Sequence, residues 1–199
     1  KRKAIETMKT LRTQDGLELA YWFISKAQNS KVKILLHGSG GNFAKADRAI
    51  ALLDRGFDVA MISYRGHSGN PGKADQRSMI NDVQTTIKSI MDLGYKLEDT
   101  YLEGSSLGTS IIAHALKKIS QDSAEDSCFG GLILKAAPLN LHDRDQETID
   151  SIKAAGINEK RAEPFLKKLW NQENAYSKIC ATEIIIVHGG GHDAENSTG

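Results

Sequence analysis

The chain has 199 residues, of which 40% are hydrophobic and 26% charged, with a formal net charge of +1. That length fits one domain (1–199) of ordinary size, and the composition is that of a globular chain rather than a disordered one. The even charge balance gives no electrostatic ground for nucleic acid as a partner, and leaves at most peripheral contact with a membrane; no apolar run reaches membrane-spanning length.

The opening KRKAIETMKTLRTQDG is basic but has no apolar core, so it does not read as a signal peptide. The run KTLRTQDGLELAYWFI alternates on either side of Asp15-Gly16 and predicts a hairpin. Five further runs of strand length follow: Lys31 to Gly38, Phe57 to Tyr64, Thr100 to Ser106, Gly131 to Pro138 and Thr182 to Gly189. Their near-continuous apolarity predicts strands covered on both faces. Between them lie stretches with helical spacing. Ala44 to Leu53 places Ala46, Ile50 and Leu53 on one face. Ser78 to Leu93 repeats Ile80, Val83, Ile87, Ile90 and Met91. Ser106 to Ile119 repeats Ile111, Ile112, Ala115, Leu116 and Ile119. Alternating strands and helices predict an α/β fold: a mostly parallel sheet, helices on both faces and an N-terminal antiparallel hairpin. In such sheets ligands sit at the carboxyl ends of the strands.

Asp143 to Ser177 breaks the rhythm. It is charged and helical, with Phe165, Leu169 and Trp170 among its apolar residues, and it reads either as a surface helical pair or as a small cap over the site. Cys128 and Cys180 lie far apart, each beside an apolar segment, and read as two small buried hydrophobes rather than a disulfide or metal pair. On that reading a reducing, cytoplasmic setting is the default.

The motif that carries chemistry is YLEGSSLGTS. Gly104-Ser105-Ser106-Leu107-Gly108 fits G-x-S-x-G, directly after an apolar strand and before an amphipathic helix, as a nucleophile elbow requires. The middle residue must sit on a sharp, strained turn with close backbone on either side, hence the glycines. Ser106 is then the nucleophile, and the Leu107 amide at the helix start points toward a developing oxyanion. A second donor must come from another loop. ILLHGSGGN follows an earlier strand, and the Ser39 amide is the best candidate. The loop lacks G-K-[ST] and a full G-x-G-x-x-G, which disfavours phosphate binding. His37 reads as a residue orienting the loop rather than as a base.

Together TQDGLELAYWFI, LHGSGGN, SYRGHSGNPG and LEGSSLG resemble the α/β-hydrolase superfamily, in the branch of serine aminopeptidase and monoacylglycerol lipase-like enzymes with an HGNAGN-type loop. His67 stands where an aromatic residue is usual. The resemblance implies a hydrolase with nucleophile, acid and histidine in that chain order, working without a cofactor or metal. It also implies that the strand in TEIIIVHG precedes the acid loop, and that GGHDAEN is similar to the histidine loop. His192 is then the base, with His142 its main rival. The acid loop, a helix and one strand are missing between those two blocks. Either a segment belongs between Gly189 and Gly190, which is the preferred reading, or the fold is cut short. Asp193 is adjacent to His192 and badly placed for a triad. Asp143, following the Gly131 to Pro138 strand, stands in as the acid.

Two functions follow. The first is a serine hydrolase that cleaves an ester, thioester or amide of an acyl substrate, with esterase chemistry favoured over peptidase. The second is a non-catalytic binding module on the same fold.

Overall fold

The computed structural model describes residues 5–26, 29–39, 46–122, 128–136 and 179–187. The insertion 143–177, the link between Gly189 and Gly190, and Asp143, His142, Asp193 and His192 all lie outside the described residues.

Seven strands form one sheet in the order β1-β2-β4-β3-β5-β6-β7. β1 (Ile5–Arg12) and β2 (Glu18–Ser25) form the expected antiparallel hairpin around Asp15-Gly16, with Arg12 opposite Glu18. β2 pairs antiparallel with β4 (Phe57–Ile62). From there the sheet is parallel through β3 (Lys31–Leu36), β5 (Thr100–Ser105), β6 (Gly131–Lys135) and β7 (Ile184–Val187). The predicted strands are therefore the observed ones, and the pairing among β3 to β7 is parallel as expected.

Among the described residues three α-helices cover the sheet: α1 (Ala46–Leu53), α2 (Gln76–Met91) and α3 (Leu107–Asp122). One face of the sheet meets α2 and α3. There Val32, Ile34, Leu36, Leu102, Leu132 and Leu134 pack with Val83, Ile87, Ile90, Ile111, Ile112 and Leu116 into the main core. On the other face Ala49, Leu52 and Leu53 of α1 pack with Ile24, Val59 and Met61. α2 starts where Asp75 caps it, its side chain accepting from the Ser78 N–H at 3.0 Å.

Two packing expectations need correction. On α1 the buried stripe is Ala49, Leu52 and Leu53, while Ile50 is 56% exposed, because the helix lies on the sheet one position away from the predicted face. β7 is apolar but uncovered: Ile184, Ile185, Ile186 and Val187 are 44–61% exposed. Among the described residues it pairs with β6 alone, and none of α1, α2 and α3 packs over it.

The cysteine reading is also corrected. Cys128 and Cys180 form a disulfide. Parallel pairing of β6 with β7, extended by the bridge between Phe129 and Ala181, brings the two residues together across 52 positions of sequence. The bond removes the support that two free thiols gave to a reducing compartment. Among the described residues no helix is long and apolar enough to cross a membrane.

Candidate active site

Ser106 occupies the single turn residue between β5 and α3, at the carboxyl edge of the sheet, with φ +48°. That left-handed backbone is uncommon for a residue with a side chain and costs on the order of 1 kcal/mol or more. The turn is held from both sides. The Ser106 N–H donates to the Lys135 carbonyl at 2.9 Å. The Ser106 carbonyl accepts from the Thr109 N–H at 2.9 Å and from the Thr109 hydroxyl at 2.6 Å.

The flanking glycines are required by contact. A Cβ on Gly104 would lie 2.7 Å from the Gly108 carbonyl carbon and 2.8 Å from the Thr109 nitrogen. A Cβ on Gly108 would lie 2.7 Å from the Leu36 carbonyl oxygen and 2.9 Å from that of His37. Strand, turn and helix therefore cross at backbone contact, and Leu107 opens α3 directly after Ser106.

The loop after β3 reaches the same point. At Gly38 the Cβ position is 3.3 Å from the Ser106 Cβ and 3.3 Å from the Ser105 carbonyl oxygen. Ser39, the next residue, is exposed and stands beside this contact in the chain. The structure thus brings Gly38, at the start of the loop after β3, against the Ser105–Ser106 turn.

A family model described as serine aminopeptidase, S33, matches residues 27–182. The chain belongs to this serine aminopeptidase S33 family. It is 30% identical over 77 residues to the uncharacterized protein Rv2307c of Mycobacterium tuberculosis, covering 37% of this chain and 27% of that one. To YfhR of Escherichia coli O157:H7 it is 25% identical over 183 residues, covering 88% of this chain and 59% of that one. The chain thus spans less than two thirds of the length of either relative. Similar solved structures include the Pyrococcus furiosus esterase Pf2001, with a TM-score of 0.61 at 17% identity, covering 93% of this chain and 83% of that one. An acetyl xylan esterase from Paenibacillus sp. R4 gives a TM-score of 0.66 at 15% identity, covering 93% and 73%. These likenesses fix the architecture as the α/β-hydrolase fold.

Within this S33-family site, His37 has the orienting geometry expected of it. Its Nδ1–H donates to the Gly38 carbonyl at 2.7 Å, which leaves Nε2 to accept from the Ser63 hydroxyl at 3.3 Å. Its ring packs 4.5 Å from that of Tyr64 and 5.7 Å from that of His67. Tyr64 donates its hydroxyl to the His37 carbonyl at 2.7 Å. Burial holds the His37 imidazole below its ordinary pKa, the Gly38 carbonyl opposes this, and neighbouring His67 adds to it. Burial also pushes the Tyr64 phenol well above its usual range. His67 itself lies against Tyr64 in an edge-on contact at 5.7 Å, so an imidazole takes the aromatic place expected there.

Two charged clusters were not anticipated from the sequence. Arg65 forms a fork on Asp82, with Nε to Oδ2 at 2.7 Å and Nη2 to Oδ1 at 2.6 Å, and also reaches Asp15 at 2.7 Å. This ties the β1–β2 turn to α2 and to the SYRGHSGNPG segment. Hydrogen bonds from Arg65 and Thr13 hold Asp15 far below the usual carboxylate range. The second cluster surrounds Glu103, on the strand that leads into the elbow. A charged residue inside an otherwise apolar strand was the available signal for it. Of the expected residues, Ser106, Leu107, Gly104 and Gly108 meet at one turn, and Ser39 follows Gly38, which touches it. Among the described residues no group of three or more His, Cys, Asp or Glu is placed to hold a metal ion.

Proposed function

We propose that the chain is a serine hydrolase that cleaves an ester of an acyl substrate through a covalent intermediate on Ser106. The observation that carries this is the backbone of Ser106: φ +48° on a one-residue turn, between two glycines pressed against backbone. A strained strand-to-helix turn of this kind presents its side chain at the sheet edge. Membership of the S33 family and likeness to esterases of known structure support it.

The chemistry follows from the parts. The Ser106 hydroxyl attacks the acyl carbon while a base takes its proton. The carbonyl π pair moves onto oxygen, and the oxyanion accepts hydrogen bonds from the amides of Leu107 and Ser39. Collapse of this intermediate breaks the bond to the alcohol, which leaves with the proton from the base. Water, deprotonated by the same base, then releases the acid and restores Ser106. His192 is our assignment for the base and Asp143 for the group that orients it.

The test is labelling with a fluorophosphonate probe, together with hydrolysis of p-nitrophenyl acetate, in the intact protein. Label and turnover lost in Ser106→Ala support the reading. Folded wild-type protein that takes no label refutes it and leaves a binding module on a hydrolase fold.

A further inference from the structure

Glu103 lies on β5 three residues ahead of Ser106 and is 4% exposed. A buried carboxylate without partners is costly. This one meets three cations. Lys135 Nζ donates to Oε1 at 2.9 Å, Arg48 Nη2 pairs with the same oxygen, and Lys33 Nζ stands 3.4 Å from Oε2. Lys33 is itself buried, whereas the Arg48 and Lys135 side chains are about a third exposed, at 36% and 34%.

The elements that meet on this carboxylate are the ones that build the candidate site. β5 ends in the elbow. β6 contributes Lys135, whose ammonium holds Glu103 while its carbonyl accepts the Ser106 N–H at 2.9 Å. β3 carries Lys33 and runs on into His37, Gly38 and Ser39. α1 carries Arg48 and is the helix that follows that loop. The register fits: Glu103 sits between Leu35 of β3 and Ile133 of β6, and Ser105 lies opposite Lys135.

We propose that Glu103 is a positioning residue, which sets the Ser106 elbow against the oxyanion loop by gathering Lys33, Arg48 and Lys135 onto one carboxylate. This rests on the reading of Ser106 as nucleophile. Without the carboxylate, three like charges remain together under the elbow and repel one another. β6 then withdraws the carbonyl that fixes the Ser106 amide, and β3 and α1 shift the loop that carries Ser39. Burial pushes the Lys33 ammonium below its ordinary pKa, so its charge there depends on the carboxylate beside it.

The experiment compares fluorophosphonate labelling rates and p-nitrophenyl acetate kinetics in Glu103→Gln, Glu103→Asp, Lys135→Met and Lys135→Arg, each at a temperature well below its melting point. Misplacing a reactive group by 1 Å costs on the order of a hundredfold in rate, so a partial shift in Glu103→Gln is expected to give roughly a tenfold loss. That loss falls on kcat and labelling, with KM held within about twofold, as a group that acts only on the placement of the reacting atoms requires. Glu103→Asp and Lys135→Arg recover part of it. If Glu103→Gln does not fold, Lys135→Met carries the test, because its side chain reaches solvent and its loss leaves Glu103 two cations. Folded variants that label at the wild-type rate overturn the positioning role while leaving Ser106 as nucleophile. Wild-type protein that takes no label overturns both.

Discussion

The elbow makes its sharpest prediction at Gly104. In Gly104→Ala the new methyl group meets three backbone atoms at 2.7–2.8 Å, all belonging to Gly108 and Thr109 at the start of α3. Carbon contacts are comfortable at about 3.5–4.0 Å, so the helix must retreat by roughly 0.7–1.3 Å. None of the three atoms is the end of a flexible side chain, and Gly108 is itself pressed against the Leu36 and His37 carbonyls. The helix therefore cannot move without the loop after β3 moving too. Overpacking of this kind costs about 1–3 kcal/mol, which for a domain of this size is a Tm drop of roughly 2–12 °C. The same retreat displaces the Leu107 amide and the Ser106 hydroxyl, so fluorophosphonate labelling should slow by on the order of a hundredfold. Gly56→Ala is the control. Gly56 has φ +87°, and nothing lies within 4 Å of its Cβ position. It should lose about 1 kcal/mol through backbone strain alone, with labelling unchanged. The reasoning is refuted if Gly104→Ala melts and labels like wild type, or if Gly56→Ala slows labelling as much.

Asp82→Ala should destabilise by about 3–5 kcal/mol in urea titration, because it strips the buried Arg65 of its fork partner. Lys26→Ala, at the exposed pair with Asp54, should cost under about 1 kcal/mol by the same measurement. Reduction of Cys128–Cys180, or its replacement by serines, should remove roughly 4 kcal/mol, the loop-closure value for a 52-residue separation. Melting curves with and without dithiothreitol, beside the intact mass under both conditions, measure this. Acidification tests His37 and His114, both held below their ordinary pKa chiefly by burial. Because their folded pKa values are depressed, the unfolded chain binds more protons. Stability is therefore full above about pH 6.5 and falls as the pH drops through that value. Urea midpoints between pH 7.5 and 5.5 should decline, and decline less in His37→Gln; a flat profile in wild type contradicts the assignment.

The order of strands and helices was legible in the sequence because both periods are local. Alternation around Asp15-Gly16 and the apolar runs between amphipathic stretches each specify an element without reference to the rest of the chain. The elbow was legible for the same reason. Gly104, Ser106 and Gly108 lie within five residues, and the requirement they meet is a local backbone crossing.

What the sequence could not show depends on pairings that only the sheet creates. Cys128 meets Cys180 because β6 lies parallel to β7. Arg65 finds Asp82 and Asp15 because the segment after β4 passes between α2 and the hairpin turn. Glu103 gathers Lys33, Arg48 and Lys135 from three separate elements, each of which by itself reads as an ordinary surface charge. Local backbone chemistry determined where the strained Ser106 turn sits in the chain. Tertiary packing decided which charges and carbonyls hold it, because partners distant in sequence become neighbours only when parallel strands set their register.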